Sequence, residues 1–184
     1  MNTPGTFTGD RIRELVLEVA ELLDHHRPQA TLIVVGGSLL AWHGLRVATE
    51  DVDSSVRIDA DIKAAVRAVA ERHDLAADWL NDHSAAWHPQ TLRLDDCDLL
   101  IDHPRLRLLG APLTAVFLMK LNRSQPQDLT DMIAMWPAVS GTFPTAQSVV
   151  DAYAAAFPFE DPDDYLSQQV IDIAERAGAT LPLD

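Results

Sequence analysis

Two short segments of this chain have the residue types and spacing that phosphate chemistry uses. An apolar run ends in Gly36-Gly37, followed by Ser38, and Asp51-Val52-Asp53 opens a second apolar segment separated from the glycine pair by thirteen residues. Carboxylates at i and i+2 on a strand point to the same side, so Asp51 and Asp53 can share a hard cation such as Mg2+ or Mn2+. Paired glycines let backbone amides approach phosphate oxygens closely, and a helix N-terminus adds favourable potential for anions. A nucleoside triphosphate fits between such a turn and such a metal. That arrangement neutralises the phosphates, orients an attacking hydroxyl and holds the leaving pyrophosphate, which is what phosphoryl and nucleotidyl transfer require. A Gly-Gly turn by itself links many strands to helices, and two aspartates by themselves can be a solvated strand start. The combination makes Gly36, Gly37, Ser38, Arg46 and Thr49 the candidate nucleotide-binding set.

The elements that must position these residues are legible from periodicity. Thr31 to Val35 is a fully apolar, mostly β-branched run, predicted as a buried strand that stops at the glycines. A helix follows from Ser38 to His43, with Ser38 as its N-cap. Val52 to Ile58 alternates as a second strand. Amphipathic helices are predicted over 11–23, from Ile12, Leu15, Val16, Val19, Leu22 and Leu23, and over 60–72, from Ile62, Ala65, Val66, Val69 and Ala70. Residues 79–89 read as loop, and short strands are predicted at 91–94 and 97–101. Pro112 and Pro126 each suit a first helical turn, giving helices at 112–122 and 126–136. Beyond Trp136-Pro137 come helices at 146–156 and 162–177. For the last of these Asp161 is the cap, Pro162 the start, Asp163 and Asp164 the dipole partners, and Gly178 the stop. The order implies an α/β (α+β) fold, a small mixed sheet flanked by helices. A catalytic domain over 1–137 and a C-terminal helical extension over 138–184 are expected.

Composition narrows the function classes. A net charge of −14 argues against a generic nucleic-acid coat, which needs many Lys and Arg, although Arg46, Arg57, Lys120 and Arg123 could still form a local basic path. A single cysteine, Cys97, rules out an internal disulfide or a thiolate zinc site within one chain, and His83 and His88 lack the spacing of a helical zinc pair. No apolar stretch approaches the roughly 20 residues of a membrane helix, and Met1 to Asp10 carries no export pattern. A cytoplasmic protein with neither membrane nor DNA as partner is expected.

The segment Val35-Gly36-Gly37-Ser38 with His43-Gly44-Leu45-Arg46-Val47-Ala48-Thr49-Glu50-Asp51-Val52-Asp53 resembles the polymerase β type nucleotidyltransferase superfamily, and more narrowly its minimal bacterial branch, which includes the AbiEii and MenT-like toxins of toxin-antitoxin systems. Phe117-Leu118-Met119-Lys120-Leu121 and Gln127-Asp128-Leu129-Thr130-Asp131 resemble that branch's lysine helix and acidic helix. The resemblance covers about 30–136, and Ser54 departs from it where a hydrophobe is usual. It implies a nucleotidyltransferase-like fold and a third carboxylate from a neighbouring strand, serving as metal ligand or general base. Asp96, Asp98 and Asp102 share strand parity. Asp98, between Cys97 and Leu99, is the choice, with Asp102 or neither as the alternatives.

Lys120 falls on the apolar stripe of its helix. Either its stem covers the core edge while the ammonium reaches water, or, as the resemblance implies, it contacts the β or γ phosphate. Leu129, Met132, Ile133 and Trp136 mark that helix's buried face, which leaves Asp128 and Asp131 on the solvated side. The resemblance instead implies that one of them, Asp131, lines the cleft and contacts the nucleotide. Trp79 and Trp87 are either packing residues or base-stacking ones. For partners the resemblance implies a nucleoside triphosphate such as ATP, a transfer RNA 3′ end and a cognate antitoxin. A small molecule or protein as acceptor, and a non-catalytic nucleotide- or partner-binding domain, are the other readings.

Overall fold

The computed structural model describes residues 5–162 and 164–184. It is a mixed α/β protein with a five-stranded sheet and seven α-helices among the described residues. Two compact units form: one holds the chain up to His88 with Asp95–Ala111, the other Pro89–Leu94 with Pro112–Asp184. The seam expected at 137 falls inside a helix.

In the first unit, α1 (Gly9–Leu22) is capped by the Thr8 hydroxyl, which accepts from the Arg11 N–H, and buries Ile12, Leu15, Val16 and Val19 as its periodicity predicts. Strand β1 (Ala30–Val35) leads into α2 (Gly36–Trp42). Ser38 is not the cap of α2 but lies within its first turn, because the helix already begins at Gly36 after an extended Val35. Strand β2 is only Val52–Ser54, shorter than the alternation suggests. It ends where the Ser54 hydroxyl turns the chain, donating to the Val56 carbonyl and accepting from the Val56 N–H. That local pairing explains how a hydroxyl is tolerated at a fully buried position where a hydrophobe was expected. Helix α3 (Ala60–His73), capped by Asp59, packs its Ile62, Val66 and Val69 face against α1.

The sheet order is β3-β2-β1-β5-β4. Two of its strands lie outside the sequence expectations. β3 (Leu80–Asn81) occupies a stretch read as loop, and β5 (Leu106–Gly110) runs parallel to β1 at the centre of the sheet. β4 (Asp98–His103) is the edge strand antiparallel to β5. Residues 91–94 form no strand; Leu94–Asp96 is a 3-10 turn.

In the second unit, α4 (Leu113–Arg123), α5 (Pro126–Val139), α6 (Ala146–Ala156) and α7 (Leu166–Arg176) pack pairwise. Phe117 is fully buried between Trp136 and Phe143, with ring centroids 5.6 and 6.1 Å apart. Helix α5 continues through Pro137 for one more turn than expected. Helix α7 starts at Leu166 rather than at Pro162, and of the acids assigned to its dipole Asp163 lies outside the described residues. Its stop is the expected one: Gly178 adopts φ +80° and Ala179 N–H reaches back to the Ala174 carbonyl.

Trp79 decides how β2 is held. Its ring is buried beside Phe7, its indole N–H donates to the Val66 carbonyl at 3.2 Å, and its own carbonyl accepts from Val52 N–H at 2.7 Å. It is therefore core, whereas Trp87 is 52% exposed on a 3-10 turn. Trp79→Ala is expected to lower unfolding free energy by about 3–5 kcal/mol, read from chemical denaturation.

Candidate active site

The antiparallel register of β1 and β2 sets Val35 opposite Asp53. The residue after Val35 is Gly36, with φ +64°, and a Cβ built there would lie 3.3 Å from Asp53 Oδ2. The turn and the second aspartate thus face each other with no side chain between them. A larger residue at 36 would carry both a disfavoured backbone conformation and a contact against the carboxylate. At Gly37 the space for a side chain is filled from the other direction, by Thr49 Oγ1 at 2.9 Å and Arg46 Nη1 at 3.0 Å from the Cβ position. Thr49 is buried and paired in both directions with Phe7 through backbone hydrogen bonds of 2.6 and 2.9 Å. Arg46 is braced by its Nε–H on the Ala48 carbonyl. The structure therefore brings Gly36, Gly37, Ser38, Arg46, Thr49 and Asp53 to one place. Asp51 precedes β2; it is exposed and Asp53 half-buried, on either side of a fully buried Val52, the alternation that sends both carboxylates away from the core.

Ser38 belongs to this group in a different way from the one expected. It is 1% exposed, its hydroxyl donates to the Val35 carbonyl at 2.8 Å, and it accepts from Asp53 N–H at 3.4 Å. The hydroxyl clamps β1 to β2 and supports Asp53.

Asp98 does not join Asp53. It pairs with Gly110, which pairs with Val34, which pairs with Ser54, so it lies in the row of the sheet neighbouring that of Val35 and Asp53, and adjacent rows point to opposite faces. Leu39 and Leu100 close over the same spot, 2.8 and 3.1 Å from the Cβ position of Gly110. The parity argument for Asp102 fails as well, because a register shift between Leu99 and Ile101 breaks the alternation. Asp102 pairs with Arg107 four residues back along the β1 register from Val35, about 13 Å at ~3.3 Å per residue, and accepts from Gln29. Among the described residues no three His, Cys, Asp or Glu side chains gather at metal-binding spacing.

Lys120, Asp131, Asp128 and Arg123 form a cluster of their own in the second unit. Lys120 is 4% exposed and its ammonium donates to Asp128 Oδ1 at 2.8 Å and Asp131 Oδ2 at 2.7 Å. Arg123 adds two bonds to Asp128, from Nε at 2.8 Å and Nη2 at 2.5 Å. The expectation that both aspartates face solvent is overturned: the inward face of α5 is Asp128, Asp131, Met132, Met135, Trp136 and Val139, with Leu129 and Ile133 half-exposed. The helix is rotated because Lys120 and Arg123, on α4, supply partners that let acids turn inward. Lys120 and Arg123 thus meet carboxylates instead of forming an open basic path. Burial alone would raise the Asp128 carboxyl, but hydrogen bonds from Arg123 and Lys120 outweigh it and hold the group below the usual carboxylate range.

A mixed α/β fold with a glycine turn set against an Asp-Val-Asp segment is a nucleotidyltransferase-like arrangement. The chain belongs to the family described as nucleotidyltransferase of unknown function, DUF6036, whose model matches residues 10–153. The match takes in both candidate clusters and runs beyond the expected seam into α6. No curated protein and no solved structure matches the chain. Among the described residues no helix is long and apolar enough to cross a membrane.

Asn81 is the neighbour that the sequence did not flag. In the parallel register of β2 and β3 it stands opposite Asp53, on the same face, 6% exposed. No periodicity is readable in a strand of two residues, so only the fold reveals it.

Two outcomes follow for the ionic cluster. Lys120→Met removes the buried ammonium that two buried carboxylates share and is expected to lower unfolding free energy by about 3–5 kcal/mol. Because Asp128 titrates below its unfolded value, its contribution is present above the ordinary carboxylate range near ~4 and is lost as pH falls through the lower folded value. Asp128→Asn should therefore flatten the acid limb of a stability-against-pH curve measured by denaturant titration.

Proposed function

We propose that this protein transfers a nucleoside monophosphate from a nucleoside triphosphate, such as ATP, to an acceptor hydroxyl, releasing pyrophosphate. The observation that carries the reading is the approach of Asp53 Oδ2 to within 3.3 Å of the empty side-chain position of Gly36. It supports a shared space for a divalent ion and a phosphate chain. The donor set fits Mg2+ or Mn2+: both ions take oxygen ligands, and Mg2+ in phosphate chemistry is commonly held by one or two carboxylates with substrate phosphates completing the shell. Asp51 and Asp53 would hold it. Bound there, such an ion neutralises the phosphates and polarises the reacting phosphoryl group.

The chain's own residues do the rest. Gly36 and Gly37 expose backbone to the phosphates at the start of α2, where the helix potential favours negative charge. Thr49 and Arg46 fix Gly37 from behind, and Arg46 brings a guanidinium to within reach of the turn. Ser38 holds the β2 backbone at Asp53, so the carboxylate is set before substrate arrives.

For the acceptor, the resemblance to the toxin branch supports a transfer RNA 3′ end and growth inhibition countered by an antitoxin. A second reading, transfer to a small molecule or a protein hydroxyl, is favoured by the net charge of −14, since RNA docking relies on a positive track.

The test is incubation of purified protein with Mg2+, each α-labelled nucleoside triphosphate in turn, and transfer RNA, protein extract or small-metabolite extract. Label is expected to move to one of the three, and Asp51→Asn with Asp53→Asn is expected to lower transfer by at least ~100-fold while thermal unfolding stays cooperative. Nucleotide bound but never transferred to any acceptor would replace the enzymatic reading with that of a nucleotide-binding domain.

A further inference from the structure

A cleft in the first unit lies between the start of α1 and the end of α2, with a volume of about 440 Å3 and a mainly polar wall. Its floor is backbone. A Cβ on Gly9 would lie 2.9 Å from the Trp42 Cα and 3.0 Å from the Ala41 carbonyl oxygen, so α1 begins hard against the last turn of α2 and no side chain fits there without a shift. One turn on from Gly9, Arg13 lies over Trp42, its guanidinium carbon 4.8 Å from the ring centroid. The other wall is the loop after α2, where Gly44 leaves open space and Val47 is 91% exposed. The Phe7–Thr49 bridge ties that loop to the segment ahead of α1, so the two walls keep their spacing.

Among the described residues the charged side chains lining the cleft are Arg13, Arg46 and Asp10. Asp10 stands in the first turn of α1, where the positive end of the helix offsets a carboxylate. Two guanidiniums therefore prevail here, in a chain whose net charge is −14. Arg46 is braced by its Nε–H on the Ala48 carbonyl, and its Nη1 comes to 3.0 Å from the side-chain position of Gly37, which sets the cleft beside the glycine turn. The Thr8 hydroxyl accepts from the Arg11 N–H at 3.3 Å and keeps its own proton to donate. Guanidinium forks match the oxygens of a phosphate. The volume lies within the roughly 300–1,000 Å3 of small-molecule pockets, far more than a bare phosphate ion fills.

We infer that this cleft is a second ligand site, which takes a small phosphorylated organic molecule without the help of a metal ion. The guanidiniums of Arg13 and Arg46 receive the phosphoryl oxygens, and the organic body lies against Trp42, Gly44 and Val47. The site goes beyond the nucleotidyl-transfer reading and does not depend on it, because it uses neither Asp51 nor Asp53.

The test is isothermal titration of AMP into the full chain with all divalent metal chelated. Wild-type protein is expected to bind one AMP per chain and to leave adenosine, which lacks the phosphate, in solution. Arg13→Gln removes one guanidinium and Val47→Asp sets a carboxylate against the phosphate. Both positions are exposed, so the fold is kept, and each change is expected to weaken AMP binding at least about tenfold. Asp53→Asn is expected to leave that binding unchanged. Wild-type protein that binds no AMP would overturn the site. So would adenosine bound as tightly as AMP, or wild-type affinity in an Arg13→Gln protein shown to be folded by circular dichroism. AMP binding lost in Asp53→Asn and kept in Arg13→Gln would move the ligand to the glycine turn and likewise end the inference. The transfer assay reports on that turn separately and can fail while this result stands.

Discussion

What the first unit depends on is the antiparallel pairing of the last residue of β1 with the middle residue of β2. Val35 and Asp53 are locked in register, and that lock places a carboxylate against a position where the chain has no side chain. Other features serve this juxtaposition. Ser38 ties the two strands by one buried hydroxyl, Trp79 anchors the entry to β2 by its carbonyl, and Thr49 with Arg46 fill the far side of Gly37. Slipping the pairing by one residue would turn Asp53 to the opposite face and put Val52 or Ser54 at the turn. The apolar burial of Val52 and Val35 opposes such a slip, so packing energy is what sets the chemistry's geometry.

The second unit solves a different problem. A lysine and two aspartates are withdrawn from water, at a desolvation cost that is offset because Arg123 adds a bidentate contact and the Asp128 carboxylate also accepts from the Gln125 N–H at the start of α5. Such a cluster fixes how α4 and α5 rotate against each other more strictly than apolar contacts would, since each donor has a directional partner. Phe117, Trp136 and Phe143 supply the cohesive energy beneath it.

Where sequence reasoning succeeded, a strong local signal coincided with the tertiary one. The apolar run before Gly36 could only be a buried strand, the stripe of Ile12, Leu15, Val16 and Val19 could only face inward, and the glycine turn and the second aspartate, paired by their spacing, meet in the fold. It failed where the deciding contact is remote in sequence. Asp98 and Asp102 shared a parity that a single extra residue in β4 cancels, a bulge without a compositional mark. Asp128 and Asp131 read as solvated because the charges that draw them inward sit on the preceding helix. Asn81 was invisible because two residues of strand carry no period. Ser38 was read as the cap of α2, while the fold begins the helix earlier and turns its hydroxyl into a strut.

The bridge between Phe7 and Thr49 has a wider consequence. Both backbone hydrogen bonds of that pair join the segment ahead of α1 to the loop that carries Arg46 and Thr49. The loop is therefore not free to sample conformations independently of the chain's opening residues, and its entropy is reduced by a remote tether rather than by its own composition. A partner that gripped the segment ahead of α1 would therefore be felt at Gly37, about thirty residues downstream of Phe7.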